Sequence, residues 1–418
     1  MSTMKNTKTL DRRDFFKTAG AGVTAATMLM TAREQALAQN LTEKARLERI
    51  ASCTWPIRSL FKTRAPAGGG SGRGAGSGRG GGGAAPAGAA QPTPDAAPVP
   101  AVPENRDRTT NAQMKERYGE ITMLDFPQWT KDTFAGVTRM DLFSGLFGDV
   151  TDEGMFMTAA QGGGGGGGFD PMSPSGRKWL DALASRCVKT GTKVQHISNN
   201  APFALAEFGS PEADARRKAG VAMAKRWLEG CAVLGVRSMR MNSTSALGPP
   251  IRPNAIPRSG DGYPRNLDIV PMLDAAIESF KEMADFGGTL GIKVTIENHW
   301  GLAADPQNIR IIIDAVNHPY CEASPDFCNW EHEHMLVSGV KALAPYAHTN
   351  VHAKYWDRWG DKNDVQRSVR IMLAGGFNGT FALEYEAGPL NGVEGAKYLY
   401  KEVLAALTTP TPVTGDAE

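Results

Sequence analysis

The chain has 418 residues, enough for two or three domains or for one α/β barrel carrying insertions. Its 46 Lys and Arg against 44 Asp and Glu leave a formal charge of +2, too small for nucleic acid or an acidic membrane surface to be the main partner. Cys53, Cys187, Cys231, Cys321 and Cys328 show neither CxxC pairing nor zinc-ligand spacing and read as buried free thiols.

At the N-terminus, Asp11-Arg12-Arg13-Asp14-Phe15-Phe16-Lys17 is a twin-arginine signature followed by a mild apolar stretch, Ala19 to Ala32. Ala36-Leu37-Ala38 supplies the small residues of a cleavage site. Residues 1–38 therefore read as a signal peptide, and the mature chain is expected to begin near Gln39 in a bacterial periplasm. No other stretch approaches the roughly 18 uninterrupted apolar residues of a membrane span.

Arg49 to Trp55 reads as a first strand. The tract Arg64 to Pro103, almost wholly Gly, Ala, Pro, Ser and Arg, cannot bury enough apolar surface to offset chain entropy and is expected to be a disordered insertion. Order is expected to resume at Ile121, leading into a short helix that ends near Phe134, and Gly136 to Phe143 is the second strand, with Asp141 near its end. A glycine tract, Gly162 to Gly168, then precedes a helix from about Ser173, with Pro174 in its first turn. Trp179, Leu180, Leu183, Cys187 and Val188 recur along it at helical spacing and are expected in the core.

Thr192 to Ser198 and Gly235 to Asn242 are the third and fourth strands, separated by an amphipathic helix from Pro211 to Leu234. Ser243 to Asn266 is a polar loop long enough to cover an active site. Helices are expected at Asp268 to Leu290, Pro306 to Val316, Val337 to Tyr346, Asp361 to Ala374 and Val393 to Leu407. With the strands between them, the alternation is that of a single α/β domain over 39–408, a (β/α)8 TIM barrel with low-complexity insertions after strands 1 and 2 and a disordered tail, 409–418.

The last four strands share one pattern: an apolar run delivering polar residues. Val294-Thr-Ile296 runs into Glu297-Asn298-His299-Trp300. Glu322-Ala-Ser-Pro-Asp326, Asn350-Val-His352-Ala-Lys354 and Thr380-Phe-Ala-Leu-Glu384-Tyr-Glu386 follow. By subtraction, Glu297 to Asp326, Asp326 to His352 and His352 to Glu384 are 29, 26 and 32 residues, about the length of one βα unit. Glu297, Asp326, His352 and Glu384 are thus expected at equivalent strand ends of neighbouring strands, where barrel active sites lie. Three carboxylates with one imidazole suit one divalent metal ion, Mn2+ first, with Mg2+, Co2+ or Zn2+ as alternatives. A hydroxy-ketone bound to such an ion has its neighbouring C–H acidified. Glu297 and Glu384 are the candidates to remove and return that proton through an ene-diolate.

These residues carry a family resemblance. Ile296-Glu297-Asn298-His299, Ser324-Pro325-Asp326-Phe327, Val351-His352-Ala353-Lys354 and Leu383-Glu384-Tyr385-Glu386 resemble the metal-site strands of the xylose isomerase-like TIM barrel superfamily, in particular exported members labelled sugar phosphate isomerase/epimerase. The resemblance covers about Arg49 to Leu407 outside the insertions. It implies that Glu297, Asp326, His352 and Glu384 bind one divalent cation, with both glutamates doubling as proton-transfer groups. Where many relatives have a histidine three residues after the aspartate, this chain has Asn329.

His196, His299 and Lys354 are candidates to hold substrate hydroxyls or a developing oxyanion, with a core histidine the equal alternative for His196. Trp300, Trp330 and Trp356 each follow a proposed ligand by three or four residues and are either walls that stack on a sugar face or packing above the barrel. Glu386 is read as a structural hydrogen-bonding residue.

The function read from the sequence is a metal-dependent sugar isomerase or epimerase acting on a small carbohydrate. A 3-keto-glycoside lyase or hydratase using the same site and a non-catalytic carbohydrate-binding barrel are the alternatives. No nucleic acid and no membrane span are expected, and a homo-oligomer is left open. Replacing Arg12 and Arg13 together by lysine should keep the precursor in the cytoplasm; undiminished periplasmic protein, measured by fractionation, would sink the export assignment.

Overall fold

The structure is a computed structural model that describes residues 41–63, 103–157, 168–199, 205–241, 268–299, 301–330 and 332–408. The expected signal peptide, residues 64–102, all but the last residue of the glycine tract, the loop at 242–267, Trp300 and the tail lie outside the described residues.

Among the described residues there are eight strands: β1 (Ile50–Cys53), β2 (Arg139–Phe143), β3 (Lys193–Asn199), β4 (Ser238–Met241), β5 (Lys293–Ile296), β6 (Cys321–Ala323), β7 (Asn350–Trp356) and β8 (Thr380–Ala387). They form one sheet in the order β6-β5-β4-β3-β2-β1-β8-β7, parallel at every pairing. The two ends of that order meet through a parallel bridge between Asp326 and His352. There His352 N donates to Pro325 O at 3.1 Å and Phe327 N to His352 O at 3.2 Å. The sheet therefore curls into a closed ring, the expected (β/α)8 barrel.

Among the described residues, helices α1 (Glu43–Leu47), α2 (Asn111–Tyr118) and α3 (Phe126–Thr133) come first. Then α4 (Pro174–Thr190), α5 (Pro211–Cys231), α6 (Val270–Leu290), α7 (Pro306–Val316), α8 (Met335–Leu343), α9 (Val365–Ala374) and α10 (Gly392–Thr408) alternate with the later strands. Among the described residues no helix is long and apolar enough to cross a membrane.

Local chemistry explains the helix ends. Ser173 accepts from Gly176 N at the start of α4, Pro174 occupies the first turn, and Gly191 ends it at φ 70°, a left-handed conformation that costs glycine nothing. Trp179, Leu180, Leu183 and Cys187 face the core, but Val188 is 83% exposed. It lies nine residues after Trp179, which at 3.6 residues per turn is half a turn away. The helix expected up to Tyr346 ends as α-helix at Leu343 and continues as a short 3-10 turn through Pro345, whose missing N–H cannot extend the ladder.

The segment before Ile121 is more ordered than its polarity suggests. Thr110 and Gln113 form a reciprocal capping box at the start of α2. Just upstream, Arg106 pairs with Asp357 and Asp107 N donates to Gly388 O at 2.7 Å, tying this segment to the ends of β7 and β8.

Apolar side chains from both sheet and helices make one large core, while a separate small cluster consists of Ala51, Cys53 and Ala382 with Trp55 packed on it. Trp330 belongs to the large core and is 0% exposed, so it is packing and not a sugar-facing wall. A Cβ at Gly339 of α8 would stand 2.6 Å from the Trp330 ring. Gly339→Ala should therefore cost about 1 to 3 kcal/mol through overpacking; an unchanged Tm in a thermal melt would show that the indole has room to move.

Candidate metal centre

The sequence placed Glu297, Asp326, His352 and Glu384 at equivalent strand ends, and the structure brings all four together by a less regular route. Glu297 follows β5 by one residue and Asp326 follows β6 by three, whereas His352 and Glu384 lie inside β7 and β8. The difference arises because β7 and β8 stay paired from Asn350 with Thr380 to Trp356 with Ala387, so both strands run past the level of the site. Asp326, beyond the end of its own strand, is held by the side chain of Asn298. That amide donates to Asp326 O at 2.9 Å and accepts from Asp326 N at 2.7 Å, completing the two bonds a neighbouring strand would have made.

His352 Nδ1 is the meeting point. It stands 3.4 Å from Glu297 Oε1, 3.4 Å from Glu384 Oε2 and 4.0 Å from Asp326 Oδ2. All four residues are buried, and Glu297, Asp326 and His352 offer ligand atoms within 4.8 Å of one another. Each of the four also has its other polar atom held from outside. His352 Nε2 lies 2.9 Å from Asp141 Oδ2. Asp326 Oδ1 accepts from Cys328 N at 2.7 Å and Asn329 N at 3.0 Å. Glu297 Oε2 accepts from Arg240 Nη1, and Glu384 Oε1 from Lys354 Nζ at 2.9 Å.

The inner atoms are of the kind that suit a cation. Asp141 accepts from Ser198 Oγ at 2.8 Å and Asn350 Nδ2 at 2.9 Å. Burial opposes its charge, but the imidazoles of His196 and His352 and these bonds hold its pKa below the usual carboxylate range. An ionised Asp141 makes His352 Nε2 an N–H donor, so Nδ1, which faces the carboxylate oxygens, carries the ring's second proton or offers its lone pair to an ion in that proton's place. Neither His352 Nδ1 nor Asp326 Oδ2 has a hydrogen-bond partner, and buried acceptors facing one another are costly without a positive charge between them.

The electrostatics say the same. Asp326 is pushed up to about 7, first by burial and then, against the pull of Lys354, by Glu384 and Glu297. Burial opposes a proton on His352, yet Glu384, Glu297 and Asp141 outweigh it and hold its pKa well above the ordinary value. A divalent ion held by Glu297, Asp326, His352 and Glu384 would take the place of those protons. Three carboxylate oxygens and one imidazole nitrogen fit such an ion by donor chemistry.

The remaining candidates divide by position. Lys354 is buried, and its Nζ lies 3.0 Å from Asn329 Oδ1, 3.3 Å from Glu386 Oε2 and 3.4 Å from Asp326 Oδ2, in addition to Glu384. Asn329, where a histidine is usual in the resembling family, donates to Glu297 Oε1 at 3.0 Å. It thus bridges Glu297 to Lys354. Glu386 accepts from Trp55 Nε1 at 2.6 Å and pairs with Arg58 at 3.4 Å, the structural part foreseen for it. His196 is fully buried in register with Asp141, its Nδ1 2.7 Å from Ser238 Oγ. Burial takes its pKa down to about 4. Its Nε2 has no hydrogen-bond partner, and with Asp141 and His352 it forms a second group whose ligand atoms lie within 4.8 Å of one another. His299 and Trp356 are partly exposed near the mouth, and Trp300 lies outside the described residues.

Asp141 and Arg240 are the residues sequence reading missed. Asp141 was visible as an acid near the end of an apolar strand, and Arg240 as a cation alternating with Met239 and Met241. Nothing in the sequence told which ligand either would meet, because their partners lie 211 and 57 residues away.

A family model described as "Xylose isomerase-like TIM barrel" matches residues 159–407. No curated protein matches the chain. Among solved structures, a xylose isomerase-like TIM barrel protein from Mycobacterium smegmatis in complex with magnesium is similar at 17% identity and TM-score 0.41, covering 58% of this chain and 92% of that one. The 3-keto-D-glucoside 4-epimerase YcjR from E. coli aligns at 12% identity and TM-score 0.45, over 67% of this chain and 94% of its own. A D-psicose 3-epimerase aligns at 14% identity and TM-score 0.46, over 70% and 98%.

Asp141→Asn keeps the size of the side chain but allows an N–H to face His352 Nε2, which would put the ring's own proton on Nδ1. Changes to groups that orient a ligating histidine typically cost 10 to 100-fold in metal affinity. Titration calorimetry with Mn2+ should show a loss of about that size with the thermal melt of the stripped protein little changed, and wild-type affinity in Asp141→Asn would remove Asp141 from the site.

Proposed function

The chain belongs to the xylose isomerase-like TIM barrel family, and on that premise we propose that it is a divalent-metal-dependent sugar isomerase or epimerase. The observation that carries the proposal is the convergence of Glu297 Oε1, Glu384 Oε2 and Asp326 Oδ2 on the unpartnered Nδ1 of His352. Glu297, Asp326, His352 and Glu384 would hold the ion. When bound, a divalent cation polarises a carbonyl and lowers the pKa of the neighbouring C–H.

The protein's own residues supply the proton transfers. Glu297 and Glu384 come from strands on different sides of β7 in the closed ring, and each places one oxygen 3.4 Å from His352 Nδ1. Two carboxylates so placed can act on a small substrate from two directions, one removing the proton beside the carbonyl and the other returning it to the other carbon or the other face. Burial of both carboxylates keeps bulk water from competing for that proton. Partly exposed Trp356 and His299 are the described candidates to meet the sugar at the mouth. Export by the twin-arginine route, read from residues 11–38, would place this reaction in the periplasm.

Purified protein should carry about one divalent ion per chain by metal analysis, and Asp326→Ala or His352→Ala should weaken its retention. Glu297→Gln and Glu384→Gln should keep part of the metal while turnover falls roughly 10²-fold or more. A keto-sugar screen in deuterated water should give an isomer or epimer carrying solvent deuterium. Release of an aglycone would instead indicate a keto-glycoside lyase, and sugar binding without turnover a carbohydrate-binding barrel. Full activity of a folded, metal-free protein in strong chelator would refute the metal-dependent scheme.

A further inference from the structure

The two glutamates are gripped in the same way from opposite directions. Arg240 lies on β4, whose neighbour is β5, and pairs in register with Thr295, two residues before Glu297. Lys354 lies on β7 directly opposite Glu384 on β8. Each cation is about as buried as its carboxylate, with Arg240 5% and Lys354 4% exposed. Each takes the glutamate oxygen that faces away from His352: Oε2 of Glu297 and Oε1 of Glu384. Asp326 is held likewise, its Oδ1 taken by two backbone N–H groups.

We propose that Arg240 and Lys354 are clamps that restrict each glutamate to a single donor oxygen and thereby set which divalent ion the site prefers. The proposal rests on the metal-dependent reading above. With every carboxylate limited to one oxygen, Glu297, Asp326, His352 and Glu384 supply four donor atoms. An ion of six positions then keeps two for other ligands, such as neighbouring oxygens of a sugar. Ca2+ takes six to eight oxygens and accepts carboxylates through both of theirs, whereas smaller ions of octahedral habit do not need them. A glutamate released from its clamp can turn both oxygens inward, which favours the larger ion and fills the positions substrate needs. Buried cations that served stability alone would be replaceable by apolar side chains of similar volume without effect on ion choice.

The decisive measurement is the ratio of Mn2+ to Ca2+ affinity, by titration calorimetry on full-length protein stripped with chelator and shown to be folded by circular dichroism. Lys354→Met and Arg240→Met should each lower the wild-type ratio by roughly tenfold, within the range found when the groups around metal ligands are altered. Water proton relaxation should show fewer exchangeable waters on bound Mn2+ in both. Lys354→Gln and Arg240→Gln, shorter neutral donors, keep the test decidable if a methionine variant fails to fold, and their ratios should fall between. An unchanged ratio in the variants, or equal loss of both ions, overturns the clamp and leaves the metal reading standing. Wild-type protein that binds neither ion overturns both.

Discussion

One nitrogen of a buried imidazole, turned toward three buried carboxylates, is the constraint on which the rest of this structure depends. Such a grouping repels itself unless a positive charge lies among its members. The protein makes it possible by fixing every member from behind. Asp141 orients His352, two backbone amides hold Asp326, Arg240 holds Glu297 and Lys354 holds Glu384. Remove the outer partners and the inner atoms have no reason to point the same way.

The barrel provides those partners cheaply because neighbouring parallel strands present side chains in register. Lys354 meets Glu384 because β7 and β8 pair residue for residue, and Asp141 lies beside His196 in the β2–β3 pairing. Between β6 and β7 regular pairing reduces to a single bridge, and side chains take over. Asn298 binds the backbone of Asp326 on one side, and Ser324 Oγ donates to Asn350 O at 2.9 Å on the other. Ring closure and the positioning of the aspartate ligand are therefore one event. An interior lined with Asp141, His196, Ser198, Arg240, Glu297, Asp326, His352 and Glu384 replaces the apolar filling usual in such barrels.

Several features were legible in the chain because their physics is local. The recurrence of apolar runs ending in polar residues about every 30 positions announced both the barrel and the four residues that converge at its centre. Ser173 and Pro174 announced where a helix begins. Other features misled for equally local reasons. Val188 is apolar but lies half a turn from its helix's buried face, and of the two readings left open for Trp330 its contact with Gly339 selects packing.

What the sequence by itself determined is the alternation of strands and helices, the identity of the four residues that converge and the donor chemistry they offer. These depend on residue type and spacing, which a linear string records. What only the tertiary structure decided is how each of those residues is held. The orientation of His352 depends on Asp141, 211 residues away, and the outward-held oxygen of Glu297 on Arg240, 57 residues away. Hydrogen bonds and charge pairs act over a few ångströms and ignore separation along the chain. Their partners are fixed only when the strands close into a ring and set the register between neighbours.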